Sequence, residues 1–370
     1  MSYRRFALPL AVAGLAVVAA GCGGSDDDGS AIPEVTSAPA KASATTSPDG
    51  ATVAPGATTA AAPSDVLDEL ITQAAGFEEV AIWGGTANGV TFAAPNGLAV
   101  DADGSVYVIE YQGGHLRKFA SDGTLLFEVA GNGADPGKLG SPIGVTIASD
   151  GSIFVSEYGN SRITAFNADG SFRANFSGPG TDPGQLSSAR GIAASDEGEL
   201  FVADSGNQRV QVFTTDGDFV RTWGEFGTGP GQFNGPNGLQ IGPAGDVWVV
   251  DGGNERVQVF NQHGELLRSY DEVGADPQVI SLNSEGEFFV SSPWADGRVR
   301  HFSPDGELLG TVGLSATSEE LRLMSPDDRA TIEAMSTLRG PHGTATDATG
   351  AVYLADSANG IVRKFIPVDR

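Results

Sequence analysis

The chain has 370 residues, of which 47 are Asp or Glu and 21 are Lys or Arg, giving a formal net charge of −26 at pH 7. This acidic composition disfavours nucleic acid as a partner, because contacts to phosphates need a basic face. Cys22 is the only cysteine, so no disulfide can form within the chain.

The N-terminal 21 residues have the pattern of an export signal. Arg4 and Arg5 precede an apolar run that ends at Ala20 and is too short to cross a bilayer comfortably. The Ala-Gly-Cys that ends at Cys22 resembles the cleavage box of bacterial lipoproteins, which implies lipidation of Cys22. We expect residues 1–21 to be a lipoprotein signal peptide and the mature protein to be extracytoplasmic, lipid-anchored at the bacterial cell membrane. The residues leave the general secretory and twin-arginine routes both open.

Residues 22–63 are rich in Ala, Thr, Ser and Pro and have almost no large apolar side chain. Such a segment cannot bury enough surface to offset its ordering entropy, so we expect a disordered stalk. Residues 64–76 follow as a short helix capped by Ser64, with several apolar side chains on one face. These are Val66, Leu67, Leu70 and Ile71. The helix could dock on the folded domain or act as a spacer near the membrane.

A repeated unit occupies the rest of the chain. Each unit has a Pro-x-Gly-like opening, an apolar stretch, a Gly turn, a second apolar stretch ending in an acid, and an Asn-x-Arg-Val-x-x-Phe segment. The openings begin at Pro95, Pro142, Ala189, Pro236, Pro277 and Pro341. The hydrophobic period within a unit is two, which indicates strands. A period near 45 residues made of strands is typical of propeller blades.

The units resemble NHL repeats, most clearly over residues 198–213, and the resemblance spans about residues 77–367. It implies an all-β fold: a six-bladed β-propeller of NHL-type four-stranded blades over residues 77–370. The sixth unit ends at Phe365 without an outer strand. Residues 77–84 match the outer strand that ends at Gly224, so we expect this N-terminal strand to close the ring and remove an exposed sheet edge.

One face of the ring is expected to carry the function. If each blade runs from its inner to its outer strand, the interblade linkers and the loops after the second strands share one face, here called the linker face. The second residue of each opening borders the central channel on that face. These residues are Asn96, Ile143, Arg190, Asn237, Gln278 and His342. Their varied chemistry favours a shaped ligand site, with simple retention of channel water as the alternative.

Aromatic side chains on the same face extend this candidate site. Tyr111 and Tyr158 follow the second strands of two blades, and Trp294 lies in an irregular loop of blade five. Aromatics at a channel mouth suit flat ligands, sugars or peptide side chains, although either tyrosine could simply pack under the linkers. We expect a protein, peptide or glycan ligand at the linker face, membrane contact through the lipid anchor only, no cofactor and a monomer.

The second strands of five units end in an acid, and in three of these units an arginine follows five residues later. The acids are Glu110, Glu157, Asp204, Asp251 and Asp356, and the arginines five residues later are Arg162, Arg209 and Arg256. Because the pairing repeats with the fold, we expect a structural salt bridge. His115 and Ile361 occupy the arginine position in blades one and six, and Ser292 replaces the acid in blade five. These departures favour a site skewed towards blades five, six and one.

Residues 314–339 interrupt the pattern before the last blade. Two short helical segments are expected there, the second starting with Ser325 as its cap and a proline in its first turn. This helical insertion could be a lid, a partner-binding element or a plug that covers blade five.

An enzyme is the alternative to a binding protein. The related amidating lyases hold zinc with histidines from several openings, whereas here only one opening, that of His342, carries a histidine. A three-histidine zinc site is therefore not expected. A metal-free lyase with His342 as base and Arg190 as anion anchor would resemble the streptogramin lyases. No motif for hydrolase or kinase chemistry is present, so ligand binding without turnover, as an envelope scaffold or sensor, is the favoured interpretation.

Overall fold

The computed structural model describes residues 63–85, 89–335 and 337–368, and the strands within these ranges pair into six antiparallel sheets of four strands each. The predicted signal peptide, Cys22 and the predicted stalk up to residue 62 lie outside the described residues. Within those ranges, no helix combines the length and the apolar character needed to cross a bilayer.

The first half of the described chain holds one helix, the closing strand and three blades. Helix α1 spans Pro63–Ala74 and strand β1 spans Phe77–Gly84. Blade one consists of β2 (Pro95–Val100), β3 (Val106–Glu110), β4 (His115–Phe119) and β5 (Leu125–Ala130). Blade two consists of β6 (Pro142–Ile147), β7 (Ile153–Glu157), β8 (Arg162–Phe166) and β9 (Phe172–Phe176). Blade three consists of β10 (Ala189–Ala194), β11 (Glu199–Asp204), β12 (Arg209–Thr214) and β13 (Phe219–Trp223).

The second half holds the other three blades and the helical insertion. Blade four consists of β14 (Pro236–Ile241), β15 (Val247–Asp251), β16 (Arg256–Phe260) and β17 (Leu266–Asp271). Blade five consists of β18 (Val279–Leu282), β19 (Phe288–Ser292), β20 (Arg298–Phe302) and β21 (Leu308–Thr311). Helices α2 (Ser318–Leu323) and α3 (Pro326–Ala334) follow. Blade six consists of β22 (Pro341–Thr346), β23 (Val352–Asp356), β24 (Ile361–Pro367) and β1.

Strand β1 closes the ring as predicted. It pairs antiparallel with β24, with Phe77 opposite Pro367 and Gly84 opposite Ile361. The sixth blade therefore combines the first described strand with the last three. The six-bladed all-β propeller expected from the repeats is confirmed.

Aromatic residues of the outer strands connect neighbouring blades. Each ring packs against a glycine in the second Gly turn of the next blade. It occupies the space that a Cβ on that glycine would need. The pairs are Trp83 with Gly123, Phe127 with Gly170, Phe176 with Gly217, Trp223 with Gly264, and Tyr270 with Gly306. These turns need glycine for close packing in addition to their positive φ, a reason that hairpin patterns alone did not reveal.

The glycine of the opening keeps the inner strands close around the channel. A Cβ on Gly144 would lie 2.6 Å from the carbonyl oxygen of Arg190 in the next blade, and a Cβ on Gly191 would lie 2.6 Å from that of Asn237. Blade five has Val279 at this position, and its first two strands pair without the register shift found in the other blades. Inner strands elsewhere thus depend on glycine for their spacing.

The Asn-x-Arg segment clamps the linker that precedes its blade. In blade three the buried Asp204 carboxylate accepts hydrogen bonds from the Ser187 backbone N–H at 2.7 Å, Asn207 Nδ2 at 2.8 Å and Arg209 Nε at 2.8 Å. Arg209 also donates to the Asp182 carbonyl oxygen. The same acid–arginine ion pair is present in blades two and four. The predicted structural salt bridge is confirmed in these blades.

Blades one and six keep the ion pair with a different arginine. Arg117 contacts Glu110, and Arg363 Nε lies 2.8 Å from Asp356 Oδ2. Both arginines follow the acid by seven residues instead of five. Because side chains alternate along a strand, positions five and seven residues later share one face, and either can reach the carboxylate.

His115 and Ile361 do occupy the arginine position, as the sequence indicates, but the ion pair is kept in both blades. Only blade five departs, since Ser292 replaces the acid. There Arg300 donates to Ser292 Oγ at 3.3 Å and forms an ion pair with Asp296. In blade five the arginine therefore pairs with an acid in the loop that carries Trp294.

Helix α1 packs on the helical insertion. Its buried Val66, Leu67 and Leu70 form one apolar cluster with Met324 and Ile332. The helix is thus docked on the folded domain. The insertion is tied to blade five by an ion pair between its Glu320 and Arg298 of β20.

Candidate ligand-binding site

A cavity of about 340 Å³ opens on the linker face at the mouth of the channel. We call it the mouth cavity. Its walls come from blades one, two, three, five and six. It is lined by Ala94, Asn96, Tyr111, Gln112, Ile143, Tyr158, Arg190, Trp294, His342 and Ser357. Six of the eight predicted ligand-binding residues are therefore brought together here. Their role in binding stays a prediction.

The other two predicted residues lie deeper. Asn237 and Gln278 line the narrow channel below the mouth cavity, together with Arg190 and His342. This part holds only about 60 Å³, room for a few water molecules. A ligand larger than water would therefore sit in the mouth cavity and touch the channel only with its tip.

Arg190 carries the positive charge of the mouth cavity. Its guanidinium lies 5.2 Å from the centre of the Tyr158 ring, and its Nη1 donates to Gln278 Oε1 at 3.3 Å. Its Nε is buried and has no hydrogen-bond partner among the described residues. The cation is held over an aromatic face by a neutral amide, without a carboxylate in the cavity wall.

His342 is neutral at pH 7. Burial lowers the pKa of its imidazole to about 4, with a further contribution from the nearby positive charge of Arg190. Ser291 Oγ donates to the His342 carbonyl oxygen at 2.7 Å, which fixes the backbone. The ring Nδ1 is buried and has no hydrogen-bond partner among the described residues. The site thus presents a neutral imidazole with an unused polar atom.

Trp294 covers one side of the mouth cavity. Its side chain is 69% exposed, and its ring meets that of His342 edge to face at a centroid distance of 4.9 Å. The Asp296–Arg300 ion pair holds the loop that presents it. Tyr111, exposed in blade one, lines the same cavity. A flat group could therefore contact aromatic surface at the mouth while its polar end reaches Arg190 and His342.

The other histidines do not line this cavity. His115 Nδ1 lies 3.7 Å from Glu110 Oε2. His301, in the third strand of blade five, has its Nε2 2.9 Å from Glu287 Oε2. His263 lies in a Gly turn. Within the described ranges, no group of three or more His, Cys, Asp or Glu side chains is arranged to hold a metal ion.

The insertion contributes no described residue to the mouth cavity. Its helices contact α1 and blade five instead, so it is not placed as a lid over His342. Sequence reasoning missed Gln112, Ser357 and Ala94 as lining residues. Each is next to, or one residue removed from, a recognised position in its repeat, so proximity in the repeat was the signal available.

The fold and the mouth cavity define a six-bladed β-propeller with a candidate small-ligand site on one face. The NHL repeat model matches residues 139–166, 186–213 and 233–260, which cover the first three strands of blades two, three and four with part of the preceding linkers. The chain is therefore a six-bladed propeller with NHL repeats in blades two, three and four. No curated protein matches its sequence significantly.

Solved structures share the fold at low sequence identity. Virginiamycin B lyase from Staphylococcus aureus is 15% identical with a TM-score of 0.54, over 79% of this chain and 100% of that chain. A gluconolactonase from Xanthomonas campestris is 15% identical with a TM-score of 0.54, over 75% and 87%. A chain of a nidogen–laminin complex is 20% identical with a TM-score of 0.51, over 61% and 81%. These likenesses establish the architecture alone.

Proposed function

We propose that the protein is an extracytoplasmic, lipid-anchored binding protein, an envelope scaffold or sensor, that takes a flat organic group into the mouth cavity. The group belongs to a free small molecule or to a peptide. The observation that carries this proposal is the exposed Trp294 indole over a cavity lined by Asn96, Arg190 and His342, each of which has a buried polar atom without a hydrogen-bond partner among the described residues. Buried polar groups without partners are costly, and a ligand that displaces the neighbouring side chains and reaches these atoms would supply the missing hydrogen bonds.

The size and composition of the cavity support a small ligand. Its volume of about 340 Å³ is at the lower end of the range for small-molecule sites, which combine aromatic walls with a few polar groups. A flat protein–protein contact would not need such a concave site. The nidogen–laminin likeness leaves protein partners as a further use of this face, but the mouth cavity itself fits a single aromatic group.

Trp294→Ala is expected to weaken ligand binding by about 5- to 150-fold, because truncation of an aromatic anchor costs about 1–3 kcal/mol. We would titrate the full-length protein with two probes of equal shape, N-acetyl-L-phenylalanine and its neutral amide, by isothermal titration calorimetry. Phe226→Ala is the matched control, since this side chain is 70% exposed and does not line the cavity. Failure of both probes to bind, or equal effects of the two substitutions, would contradict the proposal.

The neutral imidazole of His342 favours a second candidate, a lyase. A general base in a metal-free lyase must be unprotonated, and His342 meets that condition at pH 7. However, a pKa of about 4 makes it a weak base, and no described residue orients its Nδ1. Because a structural relative is a virginiamycin B lyase, incubation with virginiamycin B separates the candidates. Consumption that His342→Ala lowers by roughly 10²–10⁴-fold would favour the enzyme.

The location outside the cytoplasm rests on the sequence around Cys22. Cys22→Ser is expected to prevent lipidation, so the variant should leave the membrane fraction or accumulate as an uncleaved precursor. Detergent phase partition and the mass of the mature protein measure this directly. Membrane partition of the variant equal to that of the native protein would refute the lipid anchor and leave the binding proposal untouched.

A further inference from the structure

The mouth cavity has the opposite charge to the protein as a whole. The chain carries a net charge of −26, yet none of the ten residues that line this cavity is Asp or Glu, and one is Arg190. In the described parts of the chain, Arg190 forms neither a salt bridge nor a hydrogen bond to a carboxylate. A partly buried guanidinium without a counter-ion is unfavourable. The binding of a negatively charged ligand group beside Arg190 would therefore be favourable.

The acids at the ends of the second strands do not fill this role. Glu110 and Glu157 directly precede Tyr111 and Tyr158, but their carboxylates contact Arg117 and Arg162 and the linker backbone. Neither acid lines the mouth cavity. The clamp that stabilises the blades therefore also keeps carboxylates away from Arg190.

The number of positive charges selects the kind of anion. Arg190 is the single cation of the cavity wall, and Nη1 is already engaged by Gln278. A carboxylate carries one charge, which matches a single guanidinium, and it can accept hydrogen bonds from the guanidinium N–H groups that Gln278 does not use. A phosphate dianion is normally held by several cations, and Arg190 is the one Lys or Arg among the residues that line the cavity.

We propose that the ligand is an aromatic carboxylate, with its carboxylate on Arg190 and its ring against Trp294. This inference rests on the proposed binding function and names the chemical class that the site takes. Gln278 holds the guanidinium in place, and the neutral side chains of His342 and Asn96 line the same cavity. The class has two sources, a free aromatic acid and the C-terminal aromatic residue of a peptide.

The test compares N-acetyl-L-phenylalanine with its amide on the full-length protein by calorimetry. The acid should bind about 10- to 100-fold more tightly than the amide, the usual gain from a charge-assisted hydrogen bond. Arg190→Gln should reduce the affinity of the acid to about that of the amide and lower the affinity of the amide much less, so that the ratio of the two affinities falls to about one. An unchanged melting temperature would verify that the variant is folded. Arg322→Gln removes the same charge from helix α2, away from the cavity, and should change neither affinity.

Three results would contradict the proposal that the ligand is an aromatic carboxylate. These are equal binding of acid and amide to the native protein, equal effects of the two arginine substitutions, and tighter binding of phenyl phosphate than of the acid. In those cases the dependence on Trp294 can still hold, so the binding function survives on its own. Among carboxylates, 3-phenylpropionate and N-acetyl-glycyl-glycyl-phenylalanine identify the source. Tighter binding of the first supports a free acid, and tighter binding of the second supports a peptide C-terminus.

Discussion

Trp83→Ala is expected to lower the free energy of unfolding by about 3–5 kcal/mol, the usual cost of truncating a buried tryptophan. The side chain is 4% exposed and lies between Phe119 of blade one and Tyr353 of blade six, at ring-centroid distances of 5.9 and 5.6 Å. It therefore supports the closing strand and the contact between the first and last blades at once. Urea unfolding of the full chain measures the loss.

Val80→Ala in the same strand is the control, because Val80 is 46% exposed and surface truncations change stability by only about 0.5 kcal/mol.

Removal of residues 1–84 should lower the stability far more than removal of residues 1–62, since only the first deletion leaves β24 as an unpaired edge. Equal unfolding midpoints for the two truncations would refute the role of β1 in closure.

The fold could be predicted from the sequence because every blade repeats the same physical solution. Alternating apolar residues, Gly turns and a fixed period together leave few arrangements other than a propeller. Closure was predictable because the last unit lacked one strand and residues 77–84 carried the matching Trp-Gly. The docking of α1 was not, since an apolar face such as that of Val66 and Leu70 does not reveal its partner.

The candidate site could be predicted only as far as topology determines it. The repeat places one residue of each opening at the channel, so Arg190 and His342 were found without a structure. Their interactions were not, because the contact between Arg190 and Gln278 joins residues 88 positions apart. No acid lines the mouth cavity because the carboxylates of Glu110 and Glu157 point towards Arg117 and Arg162. The sequence alone did not reveal these side-chain directions.

The ion pairs show how a correct pattern can be misinterpreted. Reading only the position five residues after the acid made His115 and Ile361 look like exceptions. The strand period of two allows Arg117 and Arg363 to reach the same carboxylates. The walls of the mouth cavity come from blades one, two, three, five and six. The one blade that lacks the acid is blade five, where Ser292 precedes the loop that carries Trp294.

Gly343→Ala is expected to destabilise the protein by about 3 kcal/mol, at the upper end of the usual cost of overpacking. A Cβ at this position would overlap the carbonyl oxygen of Asn96 in blade one. Backbone cannot move aside as a flexible side chain can, so β22 and β2 must separate. Thermal and urea unfolding of the full chain against the native protein measure the effect.

Gly178→Ala is the matched control, because a Cβ there meets no atom within 4 Å and the residue has no positive φ. It should be neutral or slightly stabilising, since alanine restricts the unfolded chain. Gly343 lies in β22 next to His342 and packs against the backbone of Asn96 in β2, so its substitution should also weaken binding of N-acetyl-L-phenylalanine. Native stability in Gly343→Ala would show that the inner strands tolerate separation, and the close spacing around the channel would then not be what positions the site.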